Sequence, residues 1–190
     1  MSFIKPININ NELTLADRKL HERAINKYLN KKLKACGRLL LKLSAGQYSA
    51  SDAYNDNVLV EYKLRDSVYN QHMLEKKKLV RLVKEALYGR RGNHRRKAVR
   101  NEDGSWKIPG KEIFYCVTNK EKTIIWNLTD LILKQNTQSV IRSCPEASYD
   151  KAGNKTGSKM VDKDVYLLDE ADAVHVIEYN LEDSLPDKAA

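Results

Sequence analysis

The sequence contains few prolines, glycines and cysteines, and it has no long apolar run. Only four prolines and eight glycines occur in 190 residues, and 42 % of the residues are hydrophobic. This composition is typical of a globular chain and not of a disordered one. None of the apolar runs reaches the roughly 18 residues that a membrane span needs, and the N-terminus lacks the basic and then apolar layout of a secretory signal. We therefore expect a cytoplasmic protein with no membrane partner.

The few cysteines and histidines show no ligand or nucleophile pattern. Cys36, Cys116 and Cys144 are widely separated and form no Cys-x-x-Cys pair, which argues against a disulfide framework or a zinc site. The four histidines share no metal-ligand spacing with one another or with the cysteines. No Ser-His-Asp or Cys-His arrangement can be assembled either. We expect reduced, mostly buried thiols, no metal, no other cofactor and no catalytic residue.

Positive charge, in contrast, is concentrated in residues 76–100. Eleven Lys or Arg residues and one acid, Glu85, give this basic segment a charge of +10, whereas the whole chain carries +9. The rest of the chain, with 23 basic and 24 acidic residues, therefore carries −1. A positive field that is so local usually has a polyanionic partner.

Periodicity predicts helices in the first half of the chain. No proline occurs for about a hundred residues after Pro6, so this stretch is free to be helical. Apolar residues recur at helical spacing over residues 25–43, which predicts a first amphipathic helix. A second helical stretch is predicted from a cap at Ser49 or Ser51 to a stop at Gly89.

Residues typical of β-strands dominate from Trp106 onward. Two pairs of segments have hairpin spacing, and one further segment follows them: residues 112–118 with 123–128, residues 139–148 with 159–168, and residues 173–179. The predicted fold class is α+β, with an N-terminal helical half followed by an antiparallel β-rich half made of hairpins.

The corresponding domain organisation has three parts. Residues 1–104 form the helical region that ends in a basic loop, residues 105–181 form the antiparallel β region, and residues 182–190 form an acidic tail. The first two regions are also compatible with one composite domain.

The basic segment has the residue types that bind phosphate. Guanidinium groups bind phosphates through two hydrogen bonds, and lysines act as point charges. The predicted contacts are Arg90, Arg91, Arg95, Arg96, Lys97 and Arg100, helped by Lys76, Lys77, Lys78, Arg81 and Lys84. Asn93 and His94 add hydrogen-bonding groups for bases or sugars.

A second row of cations is predicted on the first helix, opposite its apolar arc. Its members are Arg23, Lys27, Lys31, Lys34, Arg38 and Lys42. Such a row can follow a phosphate backbone. The sequence thus favours a non-enzymatic, DNA- or RNA-binding protein of bacterial, phage or plasmid character. It leaves the type of nucleic acid, its sequence and the oligomeric state open.

Two alternatives remain open. The first is an interaction protein whose basic surface binds an acidic protein partner. The second starts from Glu61-Tyr62-Lys63, with Asp52 and Asp56 upstream, which resembles the Asp…Glu-x-Lys core of restriction-type nucleases. That resemblance implies a metal-dependent nuclease in which the acids hold a divalent metal and the lysine supports the attacking water. It also implies a strand at these residues, whereas periodicity predicts a helix there.

Overall fold

The molecule is described from a computed structural model. The described residues are 22–23, 25–27, 29–31, 34, 40–44, 49–65, 70–89, 99–119, 121–149 and 155–178. Within them the chain is mainly β.

The described strands fall into two sheets. Their bounds are β1 Lys42–Leu43, β2 Ala53–Tyr54, β3 Val58–Leu64, β4 Gln71–Glu75, β5 Glu112–Thr118, β6 Lys122–Asn127, β7 Val140–Tyr149, β8 Lys155–Asp169 and β9 His175–Glu178. The described positions between residues 22 and 34 are helical. The further helical elements are α1 Lys76–Tyr88, a π-helix at Thr129–Lys134 and a 3₁₀ turn at Glu170–Asp172.

The larger sheet is mixed. Its strand order is β1-β2-β3-β5-β6-β9, and the smaller sheet has the antiparallel order β4-β8-β7. In the larger sheet β3 and β5 are parallel, with Glu61 opposite Tyr115, and the other neighbours are antiparallel. A parallel pair needs a crossover connection. Here the connection between β3 and β5 contains β4 and α1.

Core clusters cover both faces of the larger sheet. Val60 and Tyr62 of β3 pack with Ile25 and Cys116 on one face. On the other face, Trp126 and other residues of β5 and β6 pack against residues of α1 and β8. A strand that is covered on both faces carries consecutive apolar residues instead of an alternating pattern.

The predicted N-terminal helical half is therefore wrong. Residues 51–75 contain strands β2, β3 and β4, and in this half helix is described only between residues 22 and 34 and at Lys76–Tyr88. The stretch predicted as the second helix contains β2, β3 and β4 before α1, and β3 is buried on both faces and so lacks the alternation that indicates a strand. The predicted stop at Gly89 is confirmed, because this glycine follows α1 with φ +75°.

The second half was predicted in part. Antiparallel pairing of β5 with β6 and of β7 with β8 confirms both hairpins, and β9 lies in the segment predicted as the last strand. The prediction that the β half is purely antiparallel is wrong, since β5 pairs in parallel with β3 from the first half. Such long-range pairing leaves no local signal in either segment.

The cysteines and the apolar length of the helices can also be compared with the predictions. Cys116 and Cys144 are free and buried, as predicted, and Cys36 lies outside the described residues. In the part of the chain that the structure describes, no helix combines the length and the apolar character needed to cross a bilayer.

Candidate active site

A cleft of about 440 Å³ opens between β3, β4 and the start of α1. Five of its lining residues are cationic, namely Lys63, Arg65, Lys77, Lys78 and Arg81, and two are acidic, namely Glu61 and Glu75. The lining of the cleft is therefore mainly cationic, with one acid, Glu61, on β3 and the other, Glu75, at the end of β4.

Glu61 is the more buried of the two acids in the cleft, and its pKa is raised. Its side chain is only 11 % exposed, and Oε1 accepts from Lys78 Nζ at 2.6 Å. Among the described residues, its buried Oε2 has no hydrogen-bond partner. Burial, followed by the negative charge of Asp52, raises the pKa of Glu61 to about 8, although Lys78 opposes the shift.

Asp52 lies beside Glu61, immediately before β2. Its Oδ2 accepts the backbone N–H of Tyr62 at 2.8 Å, next to Glu61 in β3. Asp52 is not one of the residues that line the cleft, but it is close enough to contribute to the raised pKa of Glu61. Two neighbouring strand segments thus bring two carboxyl groups together.

Glu85 of α1 fixes the segment that leads into Asp52. Its Oε2 accepts the backbone N–H groups of Ala50 at 2.8 Å and Ser51 at 3.2 Å, and its Oε1 accepts the Ser51 hydroxyl at 2.6 Å. Glu85 is buried, so these charge-assisted bonds are strong ones. The helix therefore positions Asp52 through its two preceding residues.

Lys63 and Arg65 line the same cleft as Glu61. Side chains at i, i+2 and i+4 of a strand point to one face, and all three residues line the cleft. Lys63 is exposed, whereas Glu61 is buried. An exposed ammonium group thus stands two residues from a buried carboxyl group.

The two carboxyl groups fit a divalent cation. No group of three or more His, Cys, Asp and Glu side chains in the described ranges is arranged to hold a metal ion. Mg²⁺, however, is commonly held by one or two carboxylates and completes its shell with water and substrate oxygens. Asp52 and Glu61, whose carboxyl groups lie close together, would supply these hard oxygen ligands, and Oε2 of Glu61 accepts from no donor in the described part of the chain.

Three of the predicted phosphate contacts on α1 are already paired with acids of the chain. The N···O distances are 2.8 Å for Lys76 with Asp164, 2.9 Å for Lys77 with Glu75 and 2.6 Å for Lys78 with Glu61. These pairs lower the net charge that the start of α1 presents. Lys77, Lys78 and Arg81 nevertheless line the cleft.

The remaining predicted contacts are only partly described. Arg90, Arg91, Asn93, His94, Arg95, Arg96 and Lys97 lie outside the described residues, as does Arg38. Lys84 lies on α1 and is partly buried, and Arg100 is exposed, with its guanidinium 4.6 Å from the centre of the Trp106 ring.

The predicted cation row on the first helix is only partly helical. Arg23, Lys27, Lys31 and Lys34 are helical and exposed. Lys42 belongs to β1 instead. The structure therefore does not place Lys42 on the helix with the other four.

Sequence reasoning identified some of the site residues and missed others. It named Asp52, Glu61 and Lys63, but its other acid, Asp56, is exposed at the turn between β2 and β3. It assigned no role to Arg65, although the strand period from Glu61 and Lys63 indicates it. The pairing of Lys78 with Glu61 has no sequence signal, because it depends on how α1 packs.

Comparison with known proteins does not assign this chain to a class. No protein-family model, curated protein or solved structure matches it. The function is therefore argued from the side chains of the cleft.

Proposed function

We propose that the protein is a divalent-metal-dependent nuclease whose active site contains Asp52, Glu61 and Lys63. The observation that carries the proposal is the buried Glu61 carboxyl group, which lies close to the Asp52 carboxyl group and whose Oε2 accepts from no donor among the described residues. Lys63 follows two residues later and lines the same cationic cleft. This is the arrangement that the resemblance to restriction-type nucleases implies, including the strand.

The acids argue for a cation and against simple phosphate binding. Two neighbouring carboxyl groups repel a phosphate and, in addition to the effect of burial on Glu61, they repel each other. Asp52 and Glu61 would hold a divalent cation whose charge offsets that of both carboxyl groups and attracts a phosphate. When bound, such a cation acts as a Lewis acid and lowers the pKa of a coordinated water.

The side chains around the two acids have separate roles in this proposal. Lys78 donates to Oε1 of Glu61 and so leaves Oε2 available. Lys63 donates hydrogen bonds to the attacking water or to the phosphate that it attacks. Arg65 and Arg81, which line the same cleft, bind the neighbouring phosphates.

The proposal keeps nucleic acid as the partner and replaces the non-enzymatic role. Phosphate binding alone gives no function to the close approach of the Asp52 and Glu61 carboxyl groups. An acidic protein partner likewise gives no function to Oε2 of Glu61, which accepts from no donor among the described residues. The non-enzymatic and the protein-partner alternatives each predict a different outcome in a cleavage and binding assay.

The test is a cleavage assay with duplex DNA, single-stranded DNA and RNA in Mg²⁺, in Mn²⁺ and in EDTA. The wild-type protein should cleave at least one substrate in a divalent cation and none in EDTA. Glu61→Gln should reduce the rate at least about 100-fold, since it removes a ligand charge at the reacting centre. Glu121→Gln, at an exposed position in the β5–β6 turn, is the matched control and should cleave normally.

Two outcomes would refute the nuclease proposal. One is the absence of cleavage of every substrate in both cations. The other is a Glu61→Gln variant that cleaves as fast as the wild type. Binding of nucleic acid without cleavage would support a non-enzymatic nucleic-acid-binding protein. No binding of nucleic acid would favour an acidic protein partner.

A further inference from the structure

Strands β7 and β8 form a long hairpin arm. In β8, Val165–Asp169 pairs with β4 on one side, and residues 155–164 pair only with β7 among the described strands. At about 3.3 Å per residue, these ten residues extend roughly 30 Å from the second sheet. A two-stranded ribbon of this length buries little apolar surface, so its stability alone does not explain it.

The two faces of the arm carry opposite charge. One face presents Arg142, Lys159 and Lys163 with a single acid, Glu146, which pairs with Lys163 at 3.3 Å. The opposite face carries Asp162 and Asp164 together with the exposed Ile141 and Met160. Successive side chains of a strand alternate between its two faces. The charges are separated because basic and acidic residues occupy alternate positions in the paired strands.

The basic face is continuous with the cleft. Lys163 Nζ bonds Glu75 Oε1 at 2.9 Å, and Cys144 Sγ lies 3.9 Å from Met73 Sδ. Glu75 and Met73 both line the cleft. Arg142 pairs with Lys163 in the strand register, and both Arg142 and Lys159 are exposed.

We propose that this basic face of the arm binds the phosphate backbone of the nucleic acid on one side of the cleft. The inference rests on the proposed function of the cleft, and it adds a surface outside the reacting centre. A strand of B-form DNA has a phosphate about every 3.4 Å along the axis, so a 30 Å arm spans about nine phosphates. Arg142 and Lys159 are the principal contacts, and Lys163 anchors the arm to the cleft wall.

The test compares short and long nucleic acids. Duplexes of 8 and 24 base pairs, and single strands of the same lengths, are titrated in EDTA at 50 and 200 mM salt. The double variant Arg142→Ala/Lys159→Ala is compared with Ser143→Ala/Asp162→Asn, which changes the opposite face. All four positions are exposed, so both variants should keep the wild-type melting temperature.

The arm predicts a loss that depends on length. The wild type should bind the 24-base-pair duplex more tightly than the 8-base-pair duplex. The gain in affinity should exceed the statistical gain that comes from the larger number of binding positions on the longer duplex. Arg142→Ala/Lys159→Ala should lose most of that gain, roughly tenfold in affinity, and change little on the short duplex. Its salt slope on the long duplex should fall by about 1.8, because two phosphate contacts are lost. The opposite-face variant should bind like the wild type or slightly better.

The failures of the two proposals are distinguishable. If the protein binds and cleaves nucleic acid but Arg142→Ala/Lys159→Ala matches the wild type at both lengths, the arm proposal is wrong and the cleft proposal stands. An equal loss at both lengths also overturns the arm proposal, since it places these residues at the cleft itself. Two chains per long duplex, reduced to one by the variant, would assign the face to a second copy of the chain. If no nucleic acid is bound at all, both proposals fail.

Discussion

Glu61 in β3 and Lys78 in the first turn of α1 form a largely buried ion pair, with 2.6 Å between Oε1 and Nζ. The position of this lysine is unfavourable for the helix itself. The first turn of α1 contains no acid, and cations near a helix N-terminus oppose the helix dipole. Helix stability therefore does not account for Lys78, whereas its pairing with Glu61 does.

Replacing Lys78 should weaken both the fold and the metal site. Lys78→Met leaves the buried Glu61 carboxyl group without its donor, which should lower the free energy of unfolding by about 1–3 kcal/mol. Loss of a group that orients a metal ligand typically reduces metal affinity 10–100-fold. Urea unfolding and calorimetric titration with Mn²⁺ measure the two effects. Lys78→Arg should restore most of the metal affinity.

Lys77 is the matched control for Lys78. It is the preceding residue in the same helical turn and pairs with Glu75, but its side chain is 74 % exposed. Lys77→Met should therefore change the stability by less than about 0.5 kcal/mol and leave metal affinity unchanged. Equal effects of the two substitutions would show that Lys78 has no special relation to Glu61.

Lys63 should affect cleavage without affecting metal binding. Its side chain lines the cleft and is exposed, so Lys63→Met removes a hydrogen-bond donor but no carboxylate ligand. The cleavage rate should fall about 100-fold or more, while the affinity for Mn²⁺ in the absence of nucleic acid stays within about twofold. Lys107→Met, at another exposed lysine, should retain the wild-type rate. A Lys63→Met variant that cleaves normally would remove this lysine from the mechanism.

Glu85 should stabilise the fold and position Asp52. Glu85→Gln replaces one of the two acceptor oxygens that hold the backbone and hydroxyl groups of Ala50 and Ser51. The free energy of unfolding should fall by about 1–3 kcal/mol, and Mn²⁺ affinity should fall as well because the segment before Asp52 loosens. Thermal melts with and without Mn²⁺ test both expectations. Glu102→Gln, at an exposed position, serves as the control. Unchanged Mn²⁺ affinity in Glu85→Gln would show that Glu85 stabilises the fold but does not position Asp52.

His72 should make the protein less stable in mild acid. Burial, the positive charge of Arg65 and that of Lys122 lower the pKa of this histidine, and the nearby Glu170 opposes them. Its ring centre lies 5.2 Å from that of Trp126.

The direction of the pH effect follows from the lowered pKa. The unfolded chain takes up a proton near pH 6.5 and the folded chain resists it, so the stability is present above pH 6.5 and is lost as the pH falls below it. The loss should be at most about 1.4 kcal/mol per pH unit. Urea midpoints at pH 7.5, 6.5 and 5.5 should decline for the wild type and stay flatter for His72→Gln. Parallel curves for the two proteins would contradict this role.

Local sequence signals predicted the hairpins but not the parallel pairing of β3 and β5. The β5–β6 and β7–β8 hairpins have their turn residues and strand propensities next to each other in the chain. By contrast, Leu59 to Tyr62 are four consecutive buried residues. A strand that is covered on both faces lacks the period of two, which is why the predicted helix over these residues is wrong.

The candidate site was predictable as a motif but not as a geometry. Asp52, Glu61 and Lys63 are recognisable by residue type and spacing. The contacts of Glu61 with Lys78 and of Glu85 with Ser51 join segments that are distant in sequence, and they exist only after α1 has packed against the larger sheet. No local pattern encodes such contacts.

Calorimetric titration of the nucleic-acid-free protein with Mg²⁺ and Mn²⁺ tests the metal site most directly. The wild type should bind at least one ion, and Asp52→Asn/Glu61→Gln should lose this binding while it remains folded. Because the two amides keep an oxygen acceptor for Lys78 and for the Tyr62 N–H, the melting temperature of the double variant without metal should stay close to that of the wild type. A folded double variant that binds the ions as well as the wild type would contradict the account.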